Sequence, residues 1–144
     1  GVFFCSREVG KHMIEEDIDG SIVNIASTGA ERPFPGQGVY AATKAGVVAF
    51  TIVLAKELGD HGITANCINP GTVDTPMVQQ WLEENASRSG KSEDEFLAEA
   101  LDLHILNRMG KPREIGHVAT LLLSDEGEWI TGEAINVDGG YTKM

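Results

Sequence analysis

Apolar and polar positions recur along this chain in two rhythms, and the changes between them predict its elements. Residues 2–16, VFFCSREVGKHMIEE, place Val2, Cys5, Val9 and Met13 three or four positions apart, which brings them to one face of a helix. After an Asp-Gly turn signal the β-branched run GSIVNIAS (20–27) predicts a strand, ended by the Gly/Pro-rich loop TGAERPFPGQG. Residues 39–58 return to a helical pattern, rich in small residues in its first half, and GDHG stops it. ITANCINPG (63–71) predicts a second buried strand, broken by Pro70-Gly71. Two polar helical stretches follow at 77–88 and 92–104, joined by SRSGKS. KPREIGHVATLLLS then sets Pro112 near the start of a strongly apolar helix, and EAINVDGGY closes the chain as a strand.

Strand, helix, strand, helix, strand in that order requires crossover connections, and hence a parallel sheet covered by helices on both faces. The expected class is α/β, a three-layer α/β/α arrangement amounting to half of a doubly wound sheet. No internal repeat or low-complexity segment interrupts it, and residues 77–107 are the one candidate insertion.

A length of 144 residues suits a single domain, and a helical pattern already under way at Val2 suggests a start inside a larger one. The net charge of −11 argues against nucleic acid and anionic membrane surfaces as partners, leaving small or neutral ones. The two cysteines, Cys5 and Cys67, sit among apolar neighbours and read as buried free thiols. No apolar run is expected to reach membrane-spanning length and no leader pattern is present, which gives a soluble, cytoplasmic expectation. The four histidines, at 12, 61, 104 and 117, show no metal-ligand spacing, so no metal site is expected.

Ligands of open parallel sheets bind beyond the carboxyl ends of the strands, and the chemically suggestive residues fall there. Ser27 ends the first strand. Tyr40 and Lys44, in VYAATKAGVVAF, open the next helix four positions apart and so share a face, where a fixed cation favours phenolate. NPGTVDTP (69–76) begins where the second strand stops. Each has a plainer reading: a turn serine, a polar pair on an amphipathic helix, and turn punctuation.

Taken together, IVNIAS, a tyrosine thirteen positions after Ser27, YAATK, GITANCINPGTVDTPM, RMGKPREIGHVATLLLS and ITGEAINVDGG resemble, in order and spacing, the short-chain dehydrogenase/reductases. The resemblance covers essentially the whole chain and implies the C-terminal portion of a Rossmann-type domain, with the glycine-rich phosphate loop and the residue selecting NAD or NADP upstream of Gly1. It implies that Tyr40 is the general acid/base, that Lys44 assists it and binds the nicotinamide ribose, and that Ser27 holds the substrate oxygen. Pro70, Gly71, Val73 and Thr75 would line the nicotinamide of NAD or NADP. Met77 and Trp81 would contact substrate from a lid at about 77–107. The implied reaction interconverts a secondary alcohol and a ketone, and the length of that segment suggests a polyol, sugar, hydroxy acid or small diol. A 3-oxoacyl-carrier-protein reductase and a catalytically silent binding module are the alternatives. The small-residue face AATKAGVVA and the apolar side of 2–13 fit a homodimer or homotetramer of the full-length protein.

Overall fold

In the computed structural model, which describes residues 1–144, a three-stranded parallel sheet runs in the order β1 (Gly20–Ile25), β2 (Ile63–Pro70), β3 (Ala134–Val137). The β1–β2 register sets Gly20 beside Ile63 and Ile25 beside Ile68, and Ala26 N–H donates to the Ile68 carbonyl at 2.8 Å, carrying the pairing to the residue before Ser27. Helices α1 (Val2–Glu15) and α2 (Gly38–Leu58) cover one face. Leu54, Ala55 and Leu58 of α2 pack there on Ile22, Ile63 and Ala65, which the strand period of two directs to the same side. Helix α5 (Pro112–Leu122) lies across β1 and β2 on the opposite face, so the expected three-layer α/β/α class is what the chain forms.

A buried polar chain ties the first layer together. Ser6 Oγ donates to Asn24 Oδ1 (3.2 Å), Asn24 Nδ2 to Thr51 Oγ1 (3.0 Å), and Thr51 Oγ1 to the Val47 carbonyl (2.8 Å), linking α1, β1 and α2 with every partner out of water. This corrects part of the face expected for α1. Val2 and Met13 pack on the core, but Cys5 and Val9 are exposed and Ser6 and Gly10 are buried instead, because the Asn24 amide demands a hydroxyl partner and the Leu58 side chain occupies the space beside Gly10.

Two further expectations change. The helical run Gly38–His61, 24 residues, is long and apolar enough by length and composition to cross a membrane. Alanine, glycine and valine raise its apolar count, yet in the fold it is the helix lying along β2. The last strand is shorter than expected: Asp138 accepts N–H donors from Gly140 (2.9 Å) and Thr142 (2.8 Å), turning the chain through Gly139 and Gly140, both at positive φ, into a 3-10 turn at Tyr141–Lys143. Gly62 suits the end of the α2 layer, since its φ of 69° is left-handed and a Cβ would lie 2.5 Å from Asp19 Oδ1 and displace that side chain.

Candidate active site

The carboxyl ends of the three strands open into one cleft of about 830 Å³. Ser27 follows β1 in extended conformation and caps a short 3-10 turn, Thr28–Ala30, its Oγ accepting from Gly29 N–H at 3.1 Å. The hydroxyl hydrogen is left over for a ligand. Tyr40 stands in the first turn of α2, which the chain enters through Gly36 at φ 91°, with Ala41 N–H bonded to the Gln37 carbonyl at 2.8 Å. A Cβ placed on Gly29 would be 3.4 Å from Tyr40 Cε1 and 3.5 Å from Ser27 Oγ, so the phenol ring and the serine hydroxyl border the same small space.

Lys44 lies one turn further along α2. Its ammonium donates to the Ile25 carbonyl at 3.1 Å and stands 5.8 Å from the Tyr40 ring centroid, which pins it between the end of β1 and the tyrosine. One of three ammonium donors is thereby committed and two remain.

Beyond β2, Thr28 Oγ1 donates to the Pro70 carbonyl (3.3 Å), and Gly71 passes so close to the end of β3 that a Cβ would lie 2.8 Å from Asp138 Cα. Val73 is buried and bridged to Gly110, with Gly110 N–H on the Thr72 carbonyl and Asp74 N–H on the Gly110 carbonyl, both 2.9 Å. Thr75 caps α3 (Pro76–Ser89), its Oγ1 accepting from Val78 N–H at 3.4 Å and donating to the Val73 carbonyl at 3.3 Å. The cleft thus brings together Ser27, Tyr40, Gly71, Met77 and Trp81. Lys44, Pro70, Val73 and Thr75 stand outside its lining, as supports of the strand ends and of α3. The helical pair expected as a lid, α3 and α4 (Glu93–Leu101), supplies one wall.

Around the expected Trp81, that wall and its base hold residues the sequence motifs did not include. Phe34, Trp81 and Phe96 form an edge-to-face row, with centroids 6.0 and 5.5 Å apart. At the base, the Arg32 guanidinium lies 4.7 Å from the Tyr141 ring and also donates to the Tyr141 carbonyl, while the buried His104 ring packs on Tyr141 at 5.1 Å. His104 Nδ1 bonds the Ala100 carbonyl at 3.0 Å, and its Nε2 has no partner. Asp138 sits just behind: burial works to raise its carboxyl pKa, but hydrogen bonds from Thr142 and Gly140, with the charge of His104, hold it below the ordinary aspartate range. Glu31 accepts from Asn69 (3.1 Å) and Asn136 (2.9 Å), clamping the loop after Ser27 to the ends of β2 and β3. For Arg32 and Phe34 the sequence signal available was RPF inside the Gly/Pro-rich loop.

A family model described as enoyl-(acyl carrier protein) reductase matches residues 1–142. The short-chain reductase protein NovJ of Streptomyces niveus is 41% identical over 140 residues, 97% of this chain and 51% of that protein. The 3-oxoacyl-[acyl-carrier-protein] reductase FabG of Thermotoga maritima is 40% identical over 140 residues, again 97% of this chain and 52% of that protein. Among solved structures, sorbitol-6-phosphate 2-dehydrogenase SrlD from Erwinia amylovora superposes with a TM-score of 0.91 at 33% identity, over 96% of this chain and 55% of that one. A 4-hydroxyisoleucine dehydrogenase complexed with NADH gives 0.87 at 31% identity (99% and 55% covered), and an F189W actinorhodin polyketide ketoreductase with NADPH gives 0.85 at 34% (92% and 50%). The chain spans about half the length of the curated relatives it matches. A family model running through all but the last two residues, with the same fold in solved members, identifies the chain as belonging to the short-chain dehydrogenase/reductases.

Proposed function

We propose that the full-length protein carrying this chain is an NAD(P)-dependent oxidoreductase that interconverts a secondary alcohol and a ketone. The observation that carries this reading is the convergence of Ser27 and Tyr40 on the space beside Gly29, with the Lys44 ammonium anchored to the Ile25 carbonyl next to them. Related structures hold NADH or NADPH, and the donor set here fits such a cofactor: Lys44 has two uncommitted N–H donors for ribose hydroxyls, and Pro70, Gly71, Val73 and Thr75 would flank the nicotinamide end. The nicotinamide supplies or accepts the hydride when bound.

The chain's own residues handle the proton. Ser27 Oγ, with its hydrogen free, orients the substrate oxygen towards Tyr40. Tyr40 Oη gives that oxygen a proton during reduction and takes it back during oxidation, and the fixed Lys44 charge stabilises the Tyr40 phenolate in between. Reduction of a 3-oxoacyl thioester is the second reading, favoured by the FabG relative and by the description of the matching family model.

Tyr40→Phe keeps the ring and removes the proton. In the full-length enzyme it should lower kcat by roughly 10²- to 10⁴-fold, the usual worth of a positioned acid/base, with the cofactor Kd little changed. Turnover near that of the unmodified enzyme would remove Tyr40 from the reaction.

A further inference from the structure

Resting on the oxidoreductase reading above, we propose that the substrate carries an apolar ring, aryl or alicyclic, next to its carbonyl or carbinol carbon, in place of the hydroxylated chain of a polyol or sugar. Two features of one cleft lead there. The wall built by α3, α4 and the loop after Ser27 presents apolar groups to the opening: Phe34 is 39% exposed, Met77 73% and Leu103 44%, alongside the Phe34–Trp81–Phe96 row. Such surface gains affinity by leaving water against another apolar body, and gains nothing from a hydroxyl.

The second feature is where the polar groups of the cleft are committed. On the wall, Asn85 Nδ2 donates to the Trp81 carbonyl (2.7 Å), Glu84 accepts from Gln80 (2.8 Å), and Glu99 holds Lys91 (2.7 Å). At the base Arg32 is taken by the Tyr141 carbonyl and ring. Arg88 alone lacks a partner on the wall, and it is exposed. The uncommitted groups gather at the strand ends and the base, namely the Ser27, Tyr40 and Thr72 hydroxyls, the Gln37 amide and His104 Nε2, so the reacting oxygen and a neighbouring polar group are held there, away from the aromatic row. A polyol laid along the Phe34–Trp81–Phe96 row would surrender hydration at hydroxyls that meet ring faces there, and each unsatisfied group opposes binding.

The test measures kcat/KM of the full-length enzyme, with its preferred nicotinamide cofactor, for phenylacetone, butanone, erythrulose and an acetoacetyl thioester. Phenylacetone should exceed both erythrulose and the thioester by at least about tenfold, the scale on which an apolar pocket discriminates. Trp81→Ala should shrink the phenylacetone-to-butanone ratio by a similar factor, with Trp81→Phe restoring most of it. Phe34→Ala, in the loop, makes the same measurement if the first variant fails to fold. Erythrulose or the thioester matching phenylacetone, or a ratio untouched by both alanine variants, overturns the apolar-ring assignment while the oxidoreductase reading stands. No turnover of any of the four overturns the oxidoreductase reading instead. Calorimetric titration with phenylacetone and erythrulose then decides the ring assignment separately, through which of them binds.

Discussion

Cys5 and Cys67 carry the same thiol into opposite surroundings. Cys67 lies in β2 under Val47 and Ala26, where burial pushes its pKa up to about 11; a hydrogen bond with Thr51 pulls it down and the charge of Glu31 adds to the rise. Almost no thiolate forms there at neutral pH, and the thiolate is the species that reacts. Cys5 is exposed on α1. Iodoacetamide at about pH 7.5 should therefore modify Cys5 alone in the folded chain and both thiols in denaturant, read by mass spectrometry; rapid native labelling of Cys67 would contradict its burial. At this scale the sequence was legible where chemistry follows short spacing. Tyr40 and Lys44 sit one helical turn apart, and Ser27 ends a strand, so local periodicity already pointed them at a common place. The face of α1 was legible only at its ends, Val2 and Met13, because what buries Ser6 instead of Cys5 is the amide of Asn24, eighteen positions away. His104, Tyr141 and Phe34 were missed for the same reason: their roles come from partners far along the chain.

The start of α5 shows how an element is secured at its end. Pro112 occupies the first turn, where a missing N–H costs nothing, and Glu114 reaches back to accept Lys111 N–H at 2.7 Å. Arg108 forks onto the same carboxylate at 3.0 and 2.8 Å, and these bonds, the Arg108 bond foremost, lower the Glu114 pKa from 4.5 to about 2. A carboxyl held below its unfolded value stabilises the folded state fully above about pH 4.5, and that contribution fades as pH falls towards about 2. Glu114→Gln should lower Tm at about pH 7, with the gap closing across that acid window and narrowing in high salt, since the pair is exposed. A gap independent of pH would place the effect in packing instead of charge. The helix itself was readable from Pro112 and its apolar stripe. The early end of β3 was not, because the pattern EAINVDGGY gives no hint that Asp138 gathers the N–H groups of Gly140 and Thr142 into a turn.

Across the whole molecule, the order of strands and helices was readable because parallel crossovers leave few alternatives. The outer side of the α1–α2 layer is one part that finds no cover within the chain: Phe3, Phe4 and Val9 on α1 and Val53 on α2 are all exposed. An apolar face of this kind is buried most simply against a symmetry mate. Light scattering on the full-length protein at micromolar concentration should give a dimer or tetramer, and a monomer would reject that assembly. The strand register, finally, sets a timetable. Gly20 must find Ile63, 43 positions on, while Cys67 must find Ala134, 67 positions on, the longer loop to close. Loop-closure entropy grows slowly with length, yet its sign favours the β1–α2–β2 unit forming first, already holding Ser27, Tyr40 and Lys44 in place, with the β3 edge docking after it. Asp138 and Tyr141 arrive with that last strand, and with them the base against which His104 packs. A nascent chain would thus hold Ser27 and Tyr40 side by side before the base of their cleft exists.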